Sequence, residues 1–507
     1  MARSNPQSVL VIGGGIAGVQ SALDLADQGV KVYLVDKAPS IGGNMAKLDK
    51  TFPTNDCSMC ILAPKLVTLG RHKNIDLFTN SELVVVEGEK GNFKVKIKKL
   101  PRYVKDDCVG CGECSKVCPV IVPNEFDVGL GSRKAIYTPF PQSVPSTFIV
   151  DLENCLNKEG IIKCKHCIEV CESNSIDFDA KEEIIELKVS SIILATGFEL
   201  LDPKVRKEYG YGKFENVVSS LEYERLLSAS GPTEGKVLRP SDLKKPKKIA
   251  FIQCVGSRSE QLGYPYCSRV CCMYATKEAS ITKDSYPDTE IYIFYMDLRA
   301  YGKDFQQYYK RAQDMGIKYI RGRPSSVYEI SNKNICIRYK DTYTDKIEEL
   351  EVELLVLCSA IAPTIENKAL AKILGIELDE NSFFKQKELL LDPVASTKEG
   401  IYLAGCTQAP KDIPDTVAQA SAASAKASLR IRKREVEKYI PSEKVIAHEP
   451  PRIGVWVCKC GKNVAGYVDV DAVAKYAEQL PYVAHVAIEL FACSEDALRR
   501  LKKNIEK

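Results

Sequence analysis

Three glycines near the start of the chain constrain its fold more than any other feature. Gly13, Gly15 and Gly18 follow the apolar run VLVI and open the segment IAGVQSALDLADQG, whose apolar residues recur with helical spacing. The first glycine permits a tight turn, the second lets the backbone approach a pyrophosphate, and the third lets the helix pack closely. Asp36 ends the next strand, KVYLVD, where a carboxylate binds ribose hydroxyls. The sequence therefore predicts a Rossmann-type unit that binds a dinucleotide.

Two later segments favour FAD as that dinucleotide. Residues 193–197 (ILATG) resemble the strand and Ala-Thr-Gly of flavoproteins with two dinucleotide-binding domains. Residues 400–405 (GIYLAG), followed by TVAQA, resemble their closing motif, in which a helix N-terminus faces the flavin pyrimidine. The predicted FAD-binding residues are Gly13, Gly15, Gly18, Asp36, Lys37, Gly42, Gly43, Ala195, Thr196, Gly197, Gly405, Cys406, Thr416, Val417, Ala418 and Gln419.

Three residues near that closing motif are candidates for catalytic contacts to the flavin ring. Cys406 stands where many such flavoproteins have an aspartate that holds the ribityl chain. Lys411 and Asp412 directly precede the predicted helix, where they either hydrogen-bond the isoalloxazine or belong to a solvated loop.

The chain has 20 cysteines in 507 residues, and their spacing favours metal ligation over disulfides. Cys108-x2-Cys111-x2-Cys114-x3-Cys118-Pro119 has the bacterial ferredoxin spacing, in which the fourth cysteine crosses to a neighbouring cluster. A second run supplies that neighbour. We predict one 4Fe–4S cluster on Cys108, Cys111, Cys114 and Cys171, and another on Cys118, Cys155, Cys164 and Cys167. A zinc site is the alternative. It is disfavoured because each of the two cysteine runs contributes its fourth cysteine to the other cluster.

Two further cysteine sets are less regular. Cys254, Cys267, Cys271 and Cys272 form a third candidate cluster, with buried structural thiols as the alternative. A fourth cluster is predicted from five thiols that compete for four positions: Cys57, Cys60, Cys458, Cys460 and Cys493. The Cys57-x-x-Cys60 pair alone also fits a redox-active dithiol. Cys336 and Cys358 lie in predicted strands and are expected in the core.

The predicted architecture is an α/β flavoprotein with two dinucleotide-binding domains, as in thioredoxin reductase. Its FAD domain is assembled from residues 1–100, 183–246 and 366–438, with a two-cluster ferredoxin module inserted at 101–182. Residues 247–365 form an NAD-type domain whose glycine turn is missing, because the strand runs directly into Cys254. A linker at 439–451 leads to a small α/β domain at 452–507.

Charge and hydropathy exclude some classes of partner. The net charge of +4 arises from 71 basic and 67 acidic residues and gives no argument for nucleic acid or an anionic membrane. No apolar run approaches the roughly 18 residues of a membrane helix. The first strand starts almost at once, which leaves no room for a signal peptide, so a cytoplasmic protein is expected.

Four segments together resemble one known family. They are CSMCILAPKLV from Cys57, the inserted ferredoxin run, QCVGSR…YCSRVCCMYA at 253–275, and LAGCTQAPKDIPDTVAQASAASAKA at 403–427. In this order, over residues 8 to 430, they are similar to the A subunit of heterodisulfide reductase. The specificity of the third segment assigns the Cys254 set to a cluster.

The resemblance implies FAD, several 4Fe–4S clusters and flavin-based electron bifurcation in anaerobic, methanogenesis-related metabolism. An electron pair enters the flavin from a hydrogenase, formate dehydrogenase or F420-type subunit. Single electrons then leave toward ferredoxin and toward a B/C subunit pair, whose B subunit reduces the disulfide. Alternatives are a non-bifurcating protein that serves in electron relay or assembly, and an NAD(P)H-dependent disulfide reductase, which the missing glycine turn disfavours.

The chain also departs from the family pattern. Its C-x-C segment, RIGVWVCKCG, stands near the C-terminus although family members usually begin with such a domain, and a C-terminal ferredoxin module is missing. A rearranged or split form is therefore expected, completed within an oligomeric complex by another subunit or by a second A-like chain.

Overall fold

A computed structural model describes residues 7–158, 162–429, 431 and 450–506. Its strands, in chain order, are β1 Ser8–Ile12, β2 Lys31–Val35, β3 Ile75–Phe78, β4 Ser81–Glu89, β5 Asn92–Lys99, β6 Ile121–Pro123, β7 Ser132–Lys134, β8 Ile136–Tyr137, β9 Ile149–Val150, β10 Glu183–Val189, β11 Ser191–Leu194, β12 Glu199–Leu200, β13 Val217–Ser219, β14 Lys248–Val255, β15 Glu290–Tyr295, β16 Lys318–Arg321, β17 Ser326–Glu329, β18 Ile335–Lys340, β19 Ile347–Val352, β20 Leu354–Ser359, β21 Ile361–Ala362, β22 Gln386–Glu388, β23 Asp392–Ser396, β24 Ile401–Leu403, β25 Ile453–Cys458 and β26 Val483–Glu489. The helices are α1 Ile16–Asp27, α2 Ser58–Arg71, α3 Glu113–Val117, α4 His166–Glu169, α5 Ser220–Leu227, α6 Cys271–Ser285, α7 Phe305–Asp314, α8 Asn367–Leu374, α9 Ile413–Ser428, α10 Gly461–Val464, α11 Val470–Ala477 and α12 Glu495–Ile505.

The first sheet has the order β22-β23-β24-β11-β1-β2-β3 and is parallel from β24 to β3. Its parallel strands come from three separate parts of the chain. The predicted strand–turn–helix–strand unit is confirmed as β1, α1 and β2, and Gly29 follows the helix with φ +81°. Helix α1 packs against α9, where Ala22 and Ala423 are fully buried. Small side chains on both helices permit this close contact.

A three-stranded antiparallel sheet, β10-β5-β4, covers one face of the first sheet. Strands β4 and β5 form a hairpin, and alternate residues of β5 (Phe93, Val95 and Ile97) are buried against the first sheet. Strand β10, with its alternating sequence EIIELKV, was not predicted. Lys99 at the end of β5 pairs with Glu183 at the start of β10. The segment between them therefore begins and ends at neighbouring positions of this sheet.

The second parallel sheet has the order β13-β20-β14-β15-β16. Strands β14, β15, β16 and β20 of this sheet lie within the predicted NAD-type domain at 247–365, and β14 runs into Cys254 as predicted. Cys336 in β18 and Cys358 in β20 are buried, as expected of core residues. Helices α5 and α6 follow β13 and β14 and pack on each other and on this sheet. A smaller antiparallel sheet, β17-β18-β19, lies beside it.

The described residues of the cysteine-rich segment between β5 and β10 form short elements. Two strand pairs, β6-β7 and β8-β9, accompany the short helices α3 and α4. A bridge between Val104 and Ile176 closes the segment, and a small core forms around Cys114, Phe148 and Cys167.

The last described segment is a βαβ unit, as predicted, in which β25 pairs with β26 in parallel beside α11. Helix α12 was not predicted, and its Arg499 contacts the cysteine-rich segment through Val109 O (3.3 Å) and Ser146 Oγ (3.0 Å). The linker at 439–451 lies outside the described residues except for its last two positions. Within the described ranges, no helix is both long enough and apolar enough to cross a bilayer.

Candidate functional site

A cavity of about 360 Å³ lies between the two parallel sheets, at the carboxyl end of β1. It is lined by twelve of the predicted site residues: Gly13, Gly15, Asp36, Lys37, Gly43, Ala195, Thr196, Gly197, Cys406, Lys411, Asp412 and Thr416. The opposite wall comes from α5 and α6 of the second sheet. Such a crevice beyond the carboxyl ends of parallel strands is the usual ligand site of α/β folds.

The glycine turn fits a pyrophosphate because its backbone is tightly packed on one side and open to the cavity on the other. Gly13 has φ +103°, and a Cβ on Gly18 would lie 1.8 Å from Gly13 O. A Cβ on Gly15 meets only Gly43 Cα, at 3.9 Å, so this position opens toward the cavity. Gly15 is also the N-cap of α1, whose first N–H groups point to the same space.

Asp36 lies at the end of β2, where the sequence predicts the ribose-binding carboxylate. Its carboxylate accepts hydrogen bonds from the backbone N–H groups of Gly14 and Ala38 (2.7 Å to Ala38). Burial raises the pKa of Asp36 above its usual value, and these two hydrogen bonds act against that rise. A carboxylate has about four acceptor positions, so the group retains capacity for a ribose hydroxyl.

Lys411 and Asp412 are buried, so the alternative of a solvated loop is wrong. The Lys411 ammonium donates to Gly405 O (2.8 Å), Gln408 Oε1 (3.0 Å) and Ala409 O (3.0 Å). These bonds use all three of its N–H donors. Burial lowers the pKa of Lys411 to about 8. Lys411 therefore holds the loop that carries Cys406, and a contact to a flavin ring requires one of these bonds to be exchanged.

The two other residues of this closing motif have equally local roles. Asp412 caps α9 by accepting the N–H of Asp415 at 2.9 Å. The Cys406 thiol donates to Lys411 O at 3.4 Å, and burial raises its pKa.

Four predicted FAD-binding positions support the cavity without lining it. Gly18 packs on Gly13, Gly42 N donates to Gly14 O, and Gly405 N donates to the Gln419 side chain at 2.8 Å. Val417 and Ala418 do not line the cavity and Ala418 is exposed, so their assignment to the cofactor stays a prediction. A helix presents only one side to a ligand, and Thr416 occupies that side of α9.

Sequence reasoning missed the charged wall on α5 and α6. Lys277 forms an ion pair with Glu224, both side chains are almost fully buried, and both line the cavity together with Glu278 and Tyr274. Lys277 also donates to Lys50 O at 2.9 Å, and Asp49 N donates to Glu224 at 3.0 Å. The segment YATKEAS offers no sign of burial, because lysine and glutamate are usually solvated.

The third cysteine set converges at the start of α6. Hydrogen bonding to Cys271 lowers the pKa of Cys254 to about 7 and lowers that of Cys272, while burial raises the pKa of Cys267. The pKa of Cys271 itself is raised by the same sulfur–sulfur contacts. Cationic Arg258 and Arg299 lie close to this group and favour negative charge on the sulfurs. Several adjacent thiolates and nearby cations fit an iron–sulfur cluster.

The ferredoxin-type cysteines separate into two groups. Cys118, Cys155, Cys164 and Cys167 line one small cavity. Cys114 lies near Cys108 and Cys111, and burial raises its pKa to about 12. Cys171 interacts with Ser173 Oγ (3.6 Å) and with Ser175 N (3.4 Å). The structure thus brings together all four members of one predicted set and three of the other.

One pair of cysteines departs from the prediction that metal ligation is favoured over disulfides. Cys57 and Cys60 are joined by a disulfide across the first turn of α2. A sulfur bonded to sulfur is not a thiolate, so this pair in its oxidised form cannot ligate iron. Cys458, Cys460 and Cys493 lie near one another in the C-terminal segment. Among the described residues, no three Cys, His, Asp or Glu side chains meet as a site for a single metal ion.

Comparison with known proteins adds independent information. Residues 8–55 match the family described as FAD dependent oxidoreductase. The chain is 51% identical over 430 residues to the A subunit of the H(2):CoB-CoM heterodisulfide,ferredoxin reductase of Methanothermobacter thermautotrophicus, an alignment that covers 84% of this chain and 64% of that protein. It is 48% identical over 470 residues to the iron-sulfur A subunit of the CoB--CoM heterodisulfide reductase of Methanocaldococcus jannaschii, covering 92% of this chain and 70% of that one. The chain thus spans about two thirds of the length of these relatives.

Among solved structures, the thioredoxin reductase of T. acidophilum aligns with 83% of this chain and 96% of its own at 14% identity, with a TM-score of 0.45. The family match over 8–55 and the two parallel sheets confirm an α/β dinucleotide-binding fold. The ferredoxin nature of 101–182 and the cluster on the C-terminal segment remain predictions.

Proposed function

The chain belongs to the family of heterodisulfide reductase A subunits, and we propose that it is an FAD- and iron–sulfur-dependent electron-transfer subunit of a heterodisulfide-reductase-like complex. FAD occupies the cavity between the two sheets. Clusters are held by the two ferredoxin-type sets, by the Cys254 set and by a fourth set that includes the C-terminal cysteines.

One observation carries this proposal: the same helix lines the cavity and begins with two cluster cysteines. Val270 and Tyr274 line the cavity, and Cys271 and Cys272 stand between them in sequence. Three residues of α-helix rise only about 4.5 Å, so the cluster ligands lie directly behind the cavity wall. In a pyridine-nucleotide flavoenzyme this domain would hold the nicotinamide. Here cluster ligands supply the exchange partner instead.

A flavin bound in this cavity supplies exchange between two-electron and one-electron carriers. The protein contributes the positioning. The N-terminus of α1 and the glycine turn bind the pyrophosphate, Asp36 binds a ribose, and the loop held by Lys411 closes the ring end. Buried walls exclude water from the ring, which strengthens the influence of the charged groups on α5 and α6.

The partners follow from the family and from the position of the clusters. Electrons enter from a hydrogenase, formate dehydrogenase or F420-type subunit, then leave toward ferredoxin and B/C-type subunits. The half-buried and exposed ferredoxin-type cysteines, such as Cys111, suit transfer to another protein. A second A-like chain or another subunit completes the complex. We further propose that the flavin bifurcates.

The test uses the full chain purified without oxygen. FAD and iron are quantified, and the flavin is titrated electrochemically while the clusters are followed by EPR. One FAD, iron for four clusters and crossed one-electron flavin potentials support the proposal. Normally ordered potentials contradict bifurcation and support a simple relay. Zinc in place of iron contradicts the cluster assignment. Flavin reduction by NAD(P)H alone supports the disulfide-reductase alternative.

A further inference from the structure

Glu278 is a buried acid in the cavity that the proposed function leaves without a role. Its residue surface is 1% exposed, and it lines the same cavity as Glu224 and Lys277. Within the described residues, neither of its carboxylate oxygens has a hydrogen-bond partner. An ionised carboxylate in such a place is strongly disfavoured, because nothing replaces the water it has lost.

The neighbouring groups also favour a neutral Glu278. Lys277, its neighbour in sequence, directs its ammonium to Glu224 and to Lys50 O, so the nearest cation is paired with the other acid. Burial is the main cause that raises the pKa of Glu278 well above its usual value, and the charge of Glu224 raises it further. Two acids close together in a buried site do not both ionise readily.

The titratable groups that face Glu278 can be named element by element. They are Tyr223 and Glu224 from α5, Tyr274 and Lys277 from α6, and Cys358 from β20. Tyr274 and Cys358 also interact with each other, and both lie toward the cysteines of the third set. Glu278 lines the cavity and stands six residues after Cys272 in α6, a rise of about 9 Å along the helix.

We propose that Glu278 is a proton donor to the cofactor, an inference that rests on the proposed function. Glu278 is a carboxylic acid that keeps one proton in the cavity wall. It releases this proton when reduction of the flavin adds negative charge beside it. The step moves one proton and no electron. The O–H bond of Glu278 breaks, the proton passes to the reduced ring system, and the resulting carboxylate lies beside the Lys277 ammonium. The carboxylate stays ionised while the ring is reduced and regains its proton when the ring is reoxidised, and the electrons come from the redox partner.

The experiment compares wild type with Glu278→Gln and Glu199→Gln in the full, cofactor-loaded chain. Glutamine reproduces the neutral acid in shape, so the fold is preserved. Glu199 lines the same cavity but is exposed, so its variant removes one carboxylate without removing the buried acid. Infrared spectra of the oxidised protein at pH 7 are expected to lose one protonated-carboxyl band in Glu278→Gln only. The proposal is overturned if that band is unchanged.

Reduction provides the second measurement. In wild type and Glu199→Gln, reduction is expected to change the same band, and the flavin potential is expected to depend on pH. In Glu278→Gln the band change disappears, and the ring takes its proton from solvent, so the number of protons taken up per electron pair rises by one. Identical pH dependence in all three proteins contradicts proton donation even if the acid is protonated. If the purified chain holds no flavin, the proposed function fails, while the static infrared band still reports on Glu278.

Discussion

Lys277 donates a hydrogen bond to Glu224, and the two side chains are only 1% and 3% exposed. The pair links α6 to α5, and its remaining contacts to Lys50 O and Asp49 N extend it to the loop at 49–50, which precedes α2. Each charge is thus compensated by the other and by the backbone. The pair holds the wall of the second sheet against the first and keeps one positive charge inside the cavity.

Lys277→Met is expected to destabilise the protein strongly, because it leaves the Glu224 carboxylate buried without its cation. Such losses amount to about 3–5 kcal/mol. The midpoint of thermal unfolding measures the effect, and the double variant Glu224→Gln with Lys277→Met is expected to recover much of it.

Lys385→Met is the matched control, since its ion pair with Glu377 is more than half exposed on both sides. Removing an exposed pair costs less than about 1 kcal/mol. Equal destabilisation by the Lys277 and Lys385 substitutions would contradict the structural role assigned to the buried pair.

Cys271→Ala is expected to remove one cluster and to leave the flavin bound. Cys271 supports the third set at the start of α6, so about four iron atoms per chain should be lost. Iron analysis, flavin absorbance and EPR measure this. Cys336→Ala is the control, because Cys336 is a buried cysteine in β18 outside that set. Unchanged iron in Cys271→Ala would remove the basis of the proposed exchange between flavin and cluster.

The fourth cluster is tested through the cysteines near the C-terminus. The double variant Cys458→Ala with Cys493→Ala leaves only three of the five candidate thiols and is expected to lower the iron content by about four atoms per chain. Alkylation before and after reduction measures how much of the Cys57–Cys60 pair is oxidised. Full iron content in the double variant would contradict the fourth cluster and leave Cys57 and Cys60 as a redox-active disulfide.

The two glycines of the turn are expected to respond differently to the same substitution. Gly18→Ala places a methyl group against Gly13 O and is expected to lower the stability of the flavin-free chain by about 1–3 kcal/mol. The methyl group of Gly15→Ala lies in open space within the protein, so the stability of the flavin-free chain is expected to be retained. The same methyl group occupies the position proposed for the phosphate. FAD affinity is then expected to fall about tenfold, or about 1.4 kcal/mol. Thermal unfolding and FAD titration distinguish the two, and unimpaired FAD binding by both variants would contradict the assigned site.

The sequence alone predicts those parts of the site that depend on local spacing. The glycine turn, Asp36 and the ferredoxin-type cysteines are set by short stretches of chain whose geometry follows from their residue types. The environments of Glu224, Lys277 and Glu278 arise differently. Glu224 and Lys277 bond to the backbone of the loop at 49–50, and all three lie between packed helices and distant segments of the chain, which no local pattern encodes.

The same distinction explains where the structure differs from these expectations. Val417 and Ala418 belong to a recognisable motif, but the rotation of α9 decides which residues reach the cavity, and Thr416 does. The spacing of Cys57 and Cys60 suits both a disulfide and cluster ligation, so sequence cannot decide between them. Lys411 looks like a solvated loop residue until its three acceptors are known.

The buried ammonium of Lys411 gives the protein a specific pH dependence. Its pKa is lowered to about 8 from the ordinary 10.5, so between these values the unfolded chain binds more protons than the folded one. Stability from this group therefore rises with pH across that interval, by up to about 1.4 kcal/mol per pH unit. Thermal unfolding of wild type and Lys411→Met is compared between pH 8 and pH 10. The unfolding midpoint is expected to rise with pH in wild type and not in Lys411→Met. Lys204→Met, an exposed control, is expected to keep the wild-type slope. A rise that persists in Lys411→Met would mean that another group titrates, and that Lys411 remains charged while it holds the closing loop.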